Sequence, residues 1–238
     1  MQIALVGMGR MGRMIKECAE ARGIEVAGEF DAANIDALAE LPVVDALIDF
    51  SAPASLGAVE AYVRRTGAAL VSGTTGYTAD EAERVRALSA RAPVIQSANY
   101  SVGVAVLKRL AALAAPLLGE DWDIEIVETH HRMKADAPSG TAKMLLKAID
   151  PAGERTVVYG REGMMKRTPG EIGVHAVRGG TVAGVHTVSF FGEDEELSLT
   201  HRAESRRIFA LGALRAAGLL AGREKGFYTL DELLFREG

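Results

Sequence analysis

The sequence predicts an α/β fold in two parts: a doubly wound parallel sheet, and a second α+β domain built on a mixed or antiparallel sheet. Over the first hundred of its 238 residues, short apolar runs alternate with helical patterns, as they do in parallel α/β units. From residue 156 to 205, Val, Thr, Gly and Phe alternate with polar residues, as in VHTVSF at 185–190. We therefore expect a first domain at 1–101 plus 206–238 and a second domain at 102–205.

Each expected strand of the first domain is a short apolar run, and each expected helix is an amphipathic segment between two runs. The strands lie near residues 3–6, 24–30, 46–50, 68–72 and 93–97, and the helices at 10–21, 55–66 and 79–90. Further along we expect a helix at 102–118, a strand at 123–128, a helix at 141–149 and a last helix at 206–220. The C-terminal part, including a short element at 229–234, has an apolar stripe and should return to the first domain.

Composition and charge exclude several classes of partner. The net charge of −5 argues against a nucleic-acid-binding surface, which usually shows a basic excess. No apolar run reaches membrane-spanning length. The single cysteine, Cys18, permits no intrachain disulfide, as is common in a reducing compartment. We expect a soluble cytoplasmic protein without a nucleic-acid or membrane partner.

The loop after the first expected strand has the spacing of a dinucleotide-binding turn. Its residues are Gly7, Met8, Gly9, Arg10, Met11 and Gly12. The three glycines would permit a tight turn, close approach of a pyrophosphate, and close packing of the helix on the strand. The N-terminus of the following helix would present N–H groups to the diphosphate. The sequence therefore predicts that this loop binds a nicotinamide dinucleotide.

An acidic residue, Asp31, ends the second expected strand about 20 residues after this loop. Its carboxylate would accept hydrogen bonds from the adenosine ribose hydroxyls and would repel a 2′-phosphate. The next residue, Ala32, supplies no cation to bind such a phosphate. These residues favour NADH over NADPH. Alternatively, Asp31 is only a solvated residue at the strand end and Glu29 binds the ribose, so NADPH stays open.

Polar or glycine-rich segments also follow the next three expected strands: SAP at 51–53, GTTG at 73–76 and ANYS at 98–101. In open parallel sheets, ligands bind outside the carboxyl ends of the strands. We therefore expect these segments to line the same ligand site as the glycine loop.

A second cluster of reactive side chains lies in the run ETHHRMKADAPSGTA at 128–142. Adjacent residues of a strand point to opposite faces, so His130 and His131 should not bind one metal ion together. No third ligand has the spacing of a metal site, and we predict none. One of the two imidazoles is expected to face the cleft as a proton donor, because histidine titrates near neutral pH.

The rest of this run supplies groups that bind anions. Lys134 brings a positive charge, and Ser139 has the position of a helix N-cap. The N–H groups of Gly140 and Thr141 would then hold a carboxylate at the helix N-terminus. Three other histidines lie alone in strand-like segments, and we expect them to be structural: His175, His186 and His201.

At these residues the sequence resembles the 4-hydroxy-tetrahydrodipicolinate reductase (dihydrodipicolinate reductase) family of lysine and diaminopimelate biosynthesis. The resemblance covers essentially the whole chain. It rests on GMGRMG at 7–12, DFS at 49–51, GTTG at 73–76, ANYSVGV at 98–104, the run at 128–142 and THRA at 200–203. The string of the form HHxxKxDAPSGTA is the specific element. The glycine loop is one residue shorter than in longer members of the family, and the segment at 31–41 is also short.

The resemblance implies a Rossmann-like first domain completed by the C-terminal tail, a central domain for substrate binding and tetramerisation, and a homotetramer. NADH or NADPH would reduce a small cyclic imine dicarboxylate. His130 would donate the proton, and Lys134 would be a second catalytic or substrate-anchoring group. The residues implied to contact substrate are Thr75, His131, Ser139, Gly140 and Thr141. Those implied to line the cofactor site, besides Asp31 and the glycine loop, are Gly73, Thr74, Thr75, Ser97, Ala98, Asn99 and Tyr100.

Two other functions remain open at the level of sequence. One is a related NAD(P)-dependent dehydrogenase with the same architecture, acting on an amino or imino acid of different shape. The other is a non-catalytic NAD-sensing regulator. Such a regulator should have a DNA-binding module or a basic face, and the sequence indicates neither.

Overall fold

The computed structural model describes residues 1–235 and divides into two compact units. The first unit comprises Met1–Val102 and the segment that starts at Arg206, and the second comprises Gly103–Ser205. Each unit has a sheet of its own. No helix among the described residues is both long enough and apolar enough to cross a bilayer.

The secondary structure alternates strands and helices in the first unit and is richer in strands in the second. In chain order the strands are β1 (Gln2–Val6), β2 (Glu25–Phe30), β3 (Ala46–Asp49), β4 (Ala69–Ser72), β5 (Pro93–Gln96), β6 (Asp123–His130), β7 (Thr156–Tyr159), β8 (Glu171–Arg178), β9 (Gly184–Phe191), β10 (Glu196–Ala203) and β11 (Gly226–Tyr228). The helices are α1 (Arg10–Glu20), α2 (Leu56–Thr66), α3 (Ala79–Ala87), α4 (Val102–Leu118), α5 (Gly140–Ile149), α6 (Arg207–Leu220) and α7 (Leu230–Leu234). Every element expected in the first hundred residues is present, within a few residues of its expected bounds.

The first unit is a parallel six-stranded sheet in the order β11-β5-β4-β3-β1-β2. All four residues of β3 and of β4 are buried, as expected for central strands covered on both faces. Strands β2 and β3 lie on opposite sides of β1, so the strand order reverses there. Such a reversal opens a crevice at the carboxyl ends of the strands, where open α/β sheets bind ligands.

The helices of the first unit bury narrow apolar faces against this sheet. In α1 the buried residues are Gly12, Ile15, Cys18 and Ala19, spaced as one face of a helix. α2 ends at Gly67, whose φ of +70° closes the helix in the left-handed region that glycine adopts without strain. α3 begins with a capping box between Thr78 and Glu81.

The segment from Arg206 returns to the first unit. Helix α6 contacts α1, β3 and β4, and its buried side chains are mostly alanines and leucines. Strand β11 then pairs with β5 in parallel, from Gly226 opposite Pro93 to Tyr228 opposite Ile95. The expected C-terminal helix and short final element correspond to α6 and α7.

The second unit is a mixed five-stranded sheet in the order β10-β9-β6-β8-β7. β6, β8 and β7 run parallel, whereas β9 and β10 are antiparallel to their neighbours. Its apolar core joins α4 and α5 to one face of the sheet, including Ile124, Ile126 and Val188. β6 continues two residues past its expected end, so the buried alternation Ile124, Ile126, Glu128, His130 carries two charged or titratable side chains onto the covered face.

Candidate active site

The predicted cofactor residues follow the carboxyl ends of parallel strands in the first unit, and therefore share one edge of the sheet. Gly7–Gly12 follow β1 and Asp31 follows β2. Gly73–Thr75 follow β4, and Ser97–Tyr100 follow β5. The segments after these strands therefore lie at the carboxyl edge of the sheet, as the sequence predicted.

The three glycines of the loop at 7–12 have two different structural roles. Gly7 has a φ of +94°, and a Cβ there would lie 2.4 Å from the carbonyl oxygen of Phe50. A Cβ on Gly12 would lie 1.9 Å from the carbonyl oxygen of Gly7. A Cβ on Gly9, by contrast, would meet no atom within 4 Å. Gly7 and Gly12 therefore allow the turn itself, whereas Gly9 leaves open space beside it.

This open space lies at the N-terminus of α1. Gly9 is the N-cap, no side chain caps the helix, and its first turn holds no acidic residue. The side chain of Arg13 steadies the loop by donating from Nε to the carbonyl oxygen of Met8 over 3.2 Å. A helix N-terminus without a side-chain cap, preceded by a glycine loop that leaves open space at Gly9, can accommodate a diphosphate group.

Asp31 is exposed and forms a turn directly after β2. Its Oδ1 accepts a hydrogen bond from Ala33 N at 2.9 Å, and its own N–H donates to Asn34 Oδ1 at 2.7 Å. Glu29, the alternative ribose ligand, is instead paired with Lys16 Nζ at 2.6 Å. Of the two carboxylates, Asp31 is the one without an ion-pair partner within the described part of the chain.

Two predicted cofactor residues, Thr74 and Tyr100, turn their side chains into the protein. Thr74 Oγ1 donates to the buried Asp49 at 2.9 Å. Burial raises the pKa of Asp49, although hydrogen bonds from Ser51, Thr74 and Tyr77 oppose the shift. The Tyr100 hydroxyl donates to the Ser72 carbonyl oxygen at 2.7 Å. The two side chains stabilise the carboxyl edge of the sheet from its interior side. A ligand at this edge would therefore contact their backbone atoms and not their side chains.

The other predicted residues of these two loops lie nearer the surface. Thr75 and Ala98 are exposed, and Gly73, Ser97 and Asn99 are half-buried. Ser97 Oγ donates to the Asn99 carbonyl oxygen at 2.8 Å and accepts from the Asn99 N–H at 3.2 Å, which closes a tight turn.

In the second unit, the carboxylate of Glu128 is the centre of a buried polar cluster. Its Oε2 lies 2.5 Å from His130 Nδ1 and accepts from Arg178 Nη1 at 2.9 Å. Its Oε1 accepts from Arg178 Nη2 and from the Ser139 N–H, each at 2.9 Å. Glu128 is fully buried and His130 is 8% exposed, so this cluster is largely shielded from water.

Ser139 connects this cluster to helix α5. It is the N-cap, and its Oγ accepts from Ala142 N at 3.2 Å, as the sequence predicted. The same Oγ lies 3.1 Å from His186 Nε2. Gly140, the first residue of α5, is exposed, and a Cβ there would meet no atom within 4 Å. The helix therefore begins at an open position beside the polar cluster.

Charge and burial set the protonation of the cluster. Burial would raise the pKa of Glu128, but hydrogen bonds from Arg178, His130 and Ser139 outweigh it and lower that pKa. Burial lowers the pKa of His130, and the charges of Lys134 and Arg178 lower it further, against the opposing effect of Glu128. Glu128 is thus an anion at neutral pH, and His130 is easily deprotonated.

The remaining residues of the predicted substrate run lie in the turn after β6. The Lys134 N–H donates to the His131 carbonyl oxygen at 3.1 Å. The Lys134 side chain forms an ion pair with Asp136 at 2.8 Å and stays 21% exposed. His131 and Thr141 are half-buried. All the predicted substrate residues except Thr75 therefore belong to this turn, the end of β6 and the start of α5.

Sequence reasoning missed three members of the cluster: Glu128, Arg178 and His186. The sequence predicts a structural role for His186, and its ring lies edge-on to that of His130 with centroids 5.0 Å apart. Of the other two histidines expected to be structural, His175 is paired with Glu125 at 2.7 Å. The sequence contained one signal for Arg178, because two glycines follow it, like the glycine-rich segments that follow β1 and β4 in the first unit. Within residues 1–235, no three His, Cys, Asp or Glu side chains are grouped so as to hold a metal ion.

Comparison with known proteins agrees with this two-part arrangement. A family model described as dihydrodipicolinate reductase, N-terminus, matches residues 1–100, and one described as dihydrodipicolinate reductase, C-terminus, matches residues 103–234. The 4-hydroxy-tetrahydrodipicolinate reductase of Exiguobacterium sp. is 42% identical over 239 residues, which cover 98% of this chain and 95% of the relative. That of Methanoregula boonei is 44% identical over 243 residues, covering 95% and 94%.

A solved structure shows the same fold. The dipicolinate-bound dihydrodipicolinate reductase from Paenisporosarcina sp. TG-14 matches with a TM-score of 0.79 at 20% identity, over 98% of this chain and 99% of that one. The sequence matches extend over both units and over nearly the full length of the relatives. This chain belongs to the dihydrodipicolinate reductase family.

Proposed function

We propose that this protein catalyses the NAD(P)H-dependent reduction of 4-hydroxy-tetrahydrodipicolinate to tetrahydrodipicolinate, in lysine and diaminopimelate biosynthesis. The observation that carries the proposal is the contact between His130 Nδ1 and the buried Glu128, beside the open N-terminus of α5. It provides a proton donor and an anion-binding helix end within one small region. Family membership and the names of the relatives supply the substrate and the reaction.

His130 is the proposed proton donor. Because Nδ1 faces Glu128, the proton that it exchanges is the one on Nε2. A reduced nicotinamide, when bound, supplies the hydride to a ring carbon conjugated to the C=N bond, after the substrate has lost its hydroxyl as water. Protonated His130 then gives up its Nε2 proton to complete the reduction, and must be reprotonated before the next turnover.

The substrate carboxylates are the proposed ligands of the turn between β6 and α5. Lys134 supplies a positive charge, and the N-terminal amides at Gly140 and Thr141 supply hydrogen-bond donors. Ser139 and His131 complete this region. Thr75, which follows β4, is a further proposed substrate residue.

NADH is the proposed preferred cofactor, with NADPH as the alternative. Asp31 follows β2 at the carboxyl edge, Ala32 offers no cation for a 2′-phosphate, and Glu29 is paired with Lys16. The loop from Gly7 to Gly12 is the proposed diphosphate site. This assignment is supported by the open position above Gly9 and by the uncapped start of α1.

A homotetramer assembled through the second unit is the proposed quaternary state. The sheet face opposite α4 and α5 exposes apolar side chains, among them Val127 and Val177, which are 38% and 47% exposed. Exposed apolar side chains on a sheet face can be covered by a second copy of the chain. We further propose a cytoplasmic location, in keeping with a biosynthetic enzyme whose single cysteine is free and buried.

The test is loss of reduced-nicotinamide absorbance, with substrate generated in situ from pyruvate and aspartate semialdehyde by the upstream synthase. NADH and NADPH are compared in parallel. Oxidation that requires the synthase and is faster with NADH supports both proposals. Oxidation with neither cofactor, despite measurable NADH binding, would contradict the reductase function and favour a different dehydrogenase or a sensor.

His130→Gln tests the role of the proton donor. We expect kcat to fall by at least a hundredfold, within the range that general acid catalysis contributes, with little change in the NADH dissociation constant. An equal loss of NADH affinity would contradict the assignment.

A further inference from the structure

We propose that Glu128 is a positioning residue, with Arg178 as its counter-charge. It fixes the tautomer of His130, and it holds this proton donor and Ser139, the N-cap of α5, in one geometry. This inference rests on the proposed function, in which His130 donates the proton. It concerns a buried carboxylate that sequence reasoning did not assign, and a cation 50 residues away from it in the chain.

The register of the second sheet brings these groups together. Glu128 lies opposite His186 on β9, and His130 lies opposite Arg178 on β8. Residues two apart on a strand share a face, so Glu128 and His130 both project to the face covered by helices. The arrangement is therefore a property of strand pairing, and does not depend on a mobile loop.

The carboxylate determines which nitrogen of His130 carries a proton. An ionised carboxylate can only accept hydrogen bonds, so its contact with Nδ1 requires a hydrogen on Nδ1. Neutral His130 is thus held with Nε2 as the acceptor, and protonated His130 presents its exchangeable proton on Nε2. Without the carboxylate both tautomers become accessible, and one of them points the wrong nitrogen at the reaction.

The two oxygens of Glu128 also couple two parts of the proposed site. Arg178 donates to both oxygens, His130 contacts Oε2, and the Ser139 N–H donates to Oε1. A displacement of this one carboxylate would move the proton donor and the start of α5 together. Arg178 additionally donates to the carbonyl oxygen of Asp136, which ties the turn after β6 to the same pair.

The charged and titratable groups that face His130 come from every element around it. Glu128 lies on its own strand, Arg178 on β8 and His186 on β9, and Lys134, paired with Asp136, lies in the following turn. Glu128 favours protonated His130, whereas Arg178 and Lys134 disfavour it. Removing Glu128 and removing Arg178 should therefore shift the titration of His130 in opposite directions.

The first experiment measures this titration without any turnover. Imidazole resonances of the full-length protein are followed by NMR between pH 4 and 9, with the His130 signal identified by its absence in His130→Gln. We expect Glu128→Gln to lower the midpoint by about one pH unit or more and to produce a mixture of tautomers, and Arg178→Gln to raise the midpoint. Unchanged midpoints, or shifts in the same direction, would overturn the inference.

A matched control comes from the far end of the same sheet. Glu171 is a buried carboxylate paired with Arg161. It lies at the opposite end of β8 from Arg178, and the rise per residue of a β-strand puts the two residues about 20 Å apart. Glu171→Gln should leave the His130 titration unchanged. If Glu128→Gln does not fold, the tautomer of neutral His130 in the wild-type protein carries the test. Its ring nitrogen shifts should show the hydrogen on Nδ1, facing Glu128. A hydrogen on Nε2 instead would overturn the inference.

The second experiment is the pH dependence of kcat in the synthase-coupled assay. Activity that requires protonated His130 declines as pH rises, so this limb should move down in Glu128→Gln and up in Arg178→Gln. Wild-type enzyme that does not turn over would contradict the proposed function, and the NMR titration would then decide the role of Glu128 by itself. If the wild-type enzyme is active and the decline of kcat at high pH has the same midpoint in wild type and both variants, the positioning role is contradicted and the proposed function is not.

Discussion

Gly12 and Gly7 approach so closely that a Cβ on Gly12 would lie 1.9 Å from the Gly7 carbonyl oxygen, well inside van der Waals contact. A Cβ on Gly9, which lies between them in the sequence, would meet no atom within 4 Å. The two glycines should therefore respond differently to the same substitution. We predict that Gly12→Ala destabilises the first unit, whereas Gly9→Ala leaves thermal stability nearly unchanged and weakens NADH binding at least tenfold.

Both effects can be measured by thermal unfolding and by a fluorescence titration with NADH. The pair is its own control, because one methyl group is added in each case. Gly9→Ala with wild-type NADH affinity would show that no ligand approaches this position.

Substitution of Gly184 by alanine should lower the catalytic rate without affecting the fold. Gly184 precedes Val185, which pairs with Thr129 at the end of the β6–β9 ladder, and a Cβ there would be 3.1 Å from His130 Nε2. That separation is shorter than an ordinary contact, so the imidazole must shift by a few tenths of an ångström. We predict that Gly184→Ala lowers kcat at least tenfold with an unchanged KM for NADH. Gly57→Ala, where no atom lies within 4 Å, is the control and should retain full activity.

Ser139 should contribute to both stability and substrate binding. Its Oγ caps α5 and contacts His186. Loss of an N-cap typically costs about 1 kcal/mol. We predict that Ser139→Ala lowers the free energy of unfolding by about that amount and raises the substrate KM severalfold. Thr229→Ala removes the cap of α7 and should cost similar stability without changing this KM. Equal KM values in the two variants would count against a substrate role for the turn.

The buried His186 should make the protein sensitive to acid. Burial is the main cause that lowers its pKa to about 4, with the nearby His130 as a further cause. As pH falls, the unfolded chain therefore binds a proton near pH 6.5, before the folded protein does. The stability associated with neutral His186 is present above pH 6.5 and is lost between pH 6.5 and 4.

The loss should amount to about 2 kcal/mol at pH 5. Urea denaturation at pH 7.5 and pH 5 measures it, in wild type and in His186→Gln. The variant should lose less stability than wild type on acidification by about this difference. A variant with the same acid sensitivity would assign the effect to other groups.

Hydrophobic patterning predicted the first unit well because its parallel strands are short, buried runs between amphipathic helices. β3 and β4 are buried at every position, and the segments after β1, β4 and β5 lie at the carboxyl edge of the sheet, the proposed cofactor site. The inward direction of the Thr74 and Tyr100 side chains was not predictable, because it depends on Asp49 and Ser72 on neighbouring strands.

The second unit shows where such reasoning stops. Alternation predicts that a segment is a strand and which residues share a face, but not which strand lies beside it. β8 lies between β6 and β7, and only this order puts Arg178 against Glu128. The contact of His186 with the cluster was unpredictable for the same reason, since its partner Ser139 is 47 residues away. Ser139 itself was predicted correctly as an N-cap, because capping is local in sequence.

The pairing of β11 with β5 has a consequence for biosynthesis of the chain. The second unit is one continuous segment, so it can fold as soon as it has left the ribosome. The first sheet has to wait for an edge strand and a helix that are translated more than a hundred residues after β5. Until then β5 has an unpaired apolar edge, the kind of surface that promotes aggregation. Chaperone dependence and losses during expression should therefore arise from the first unit, and premature termination before residue 226 should yield insoluble chains.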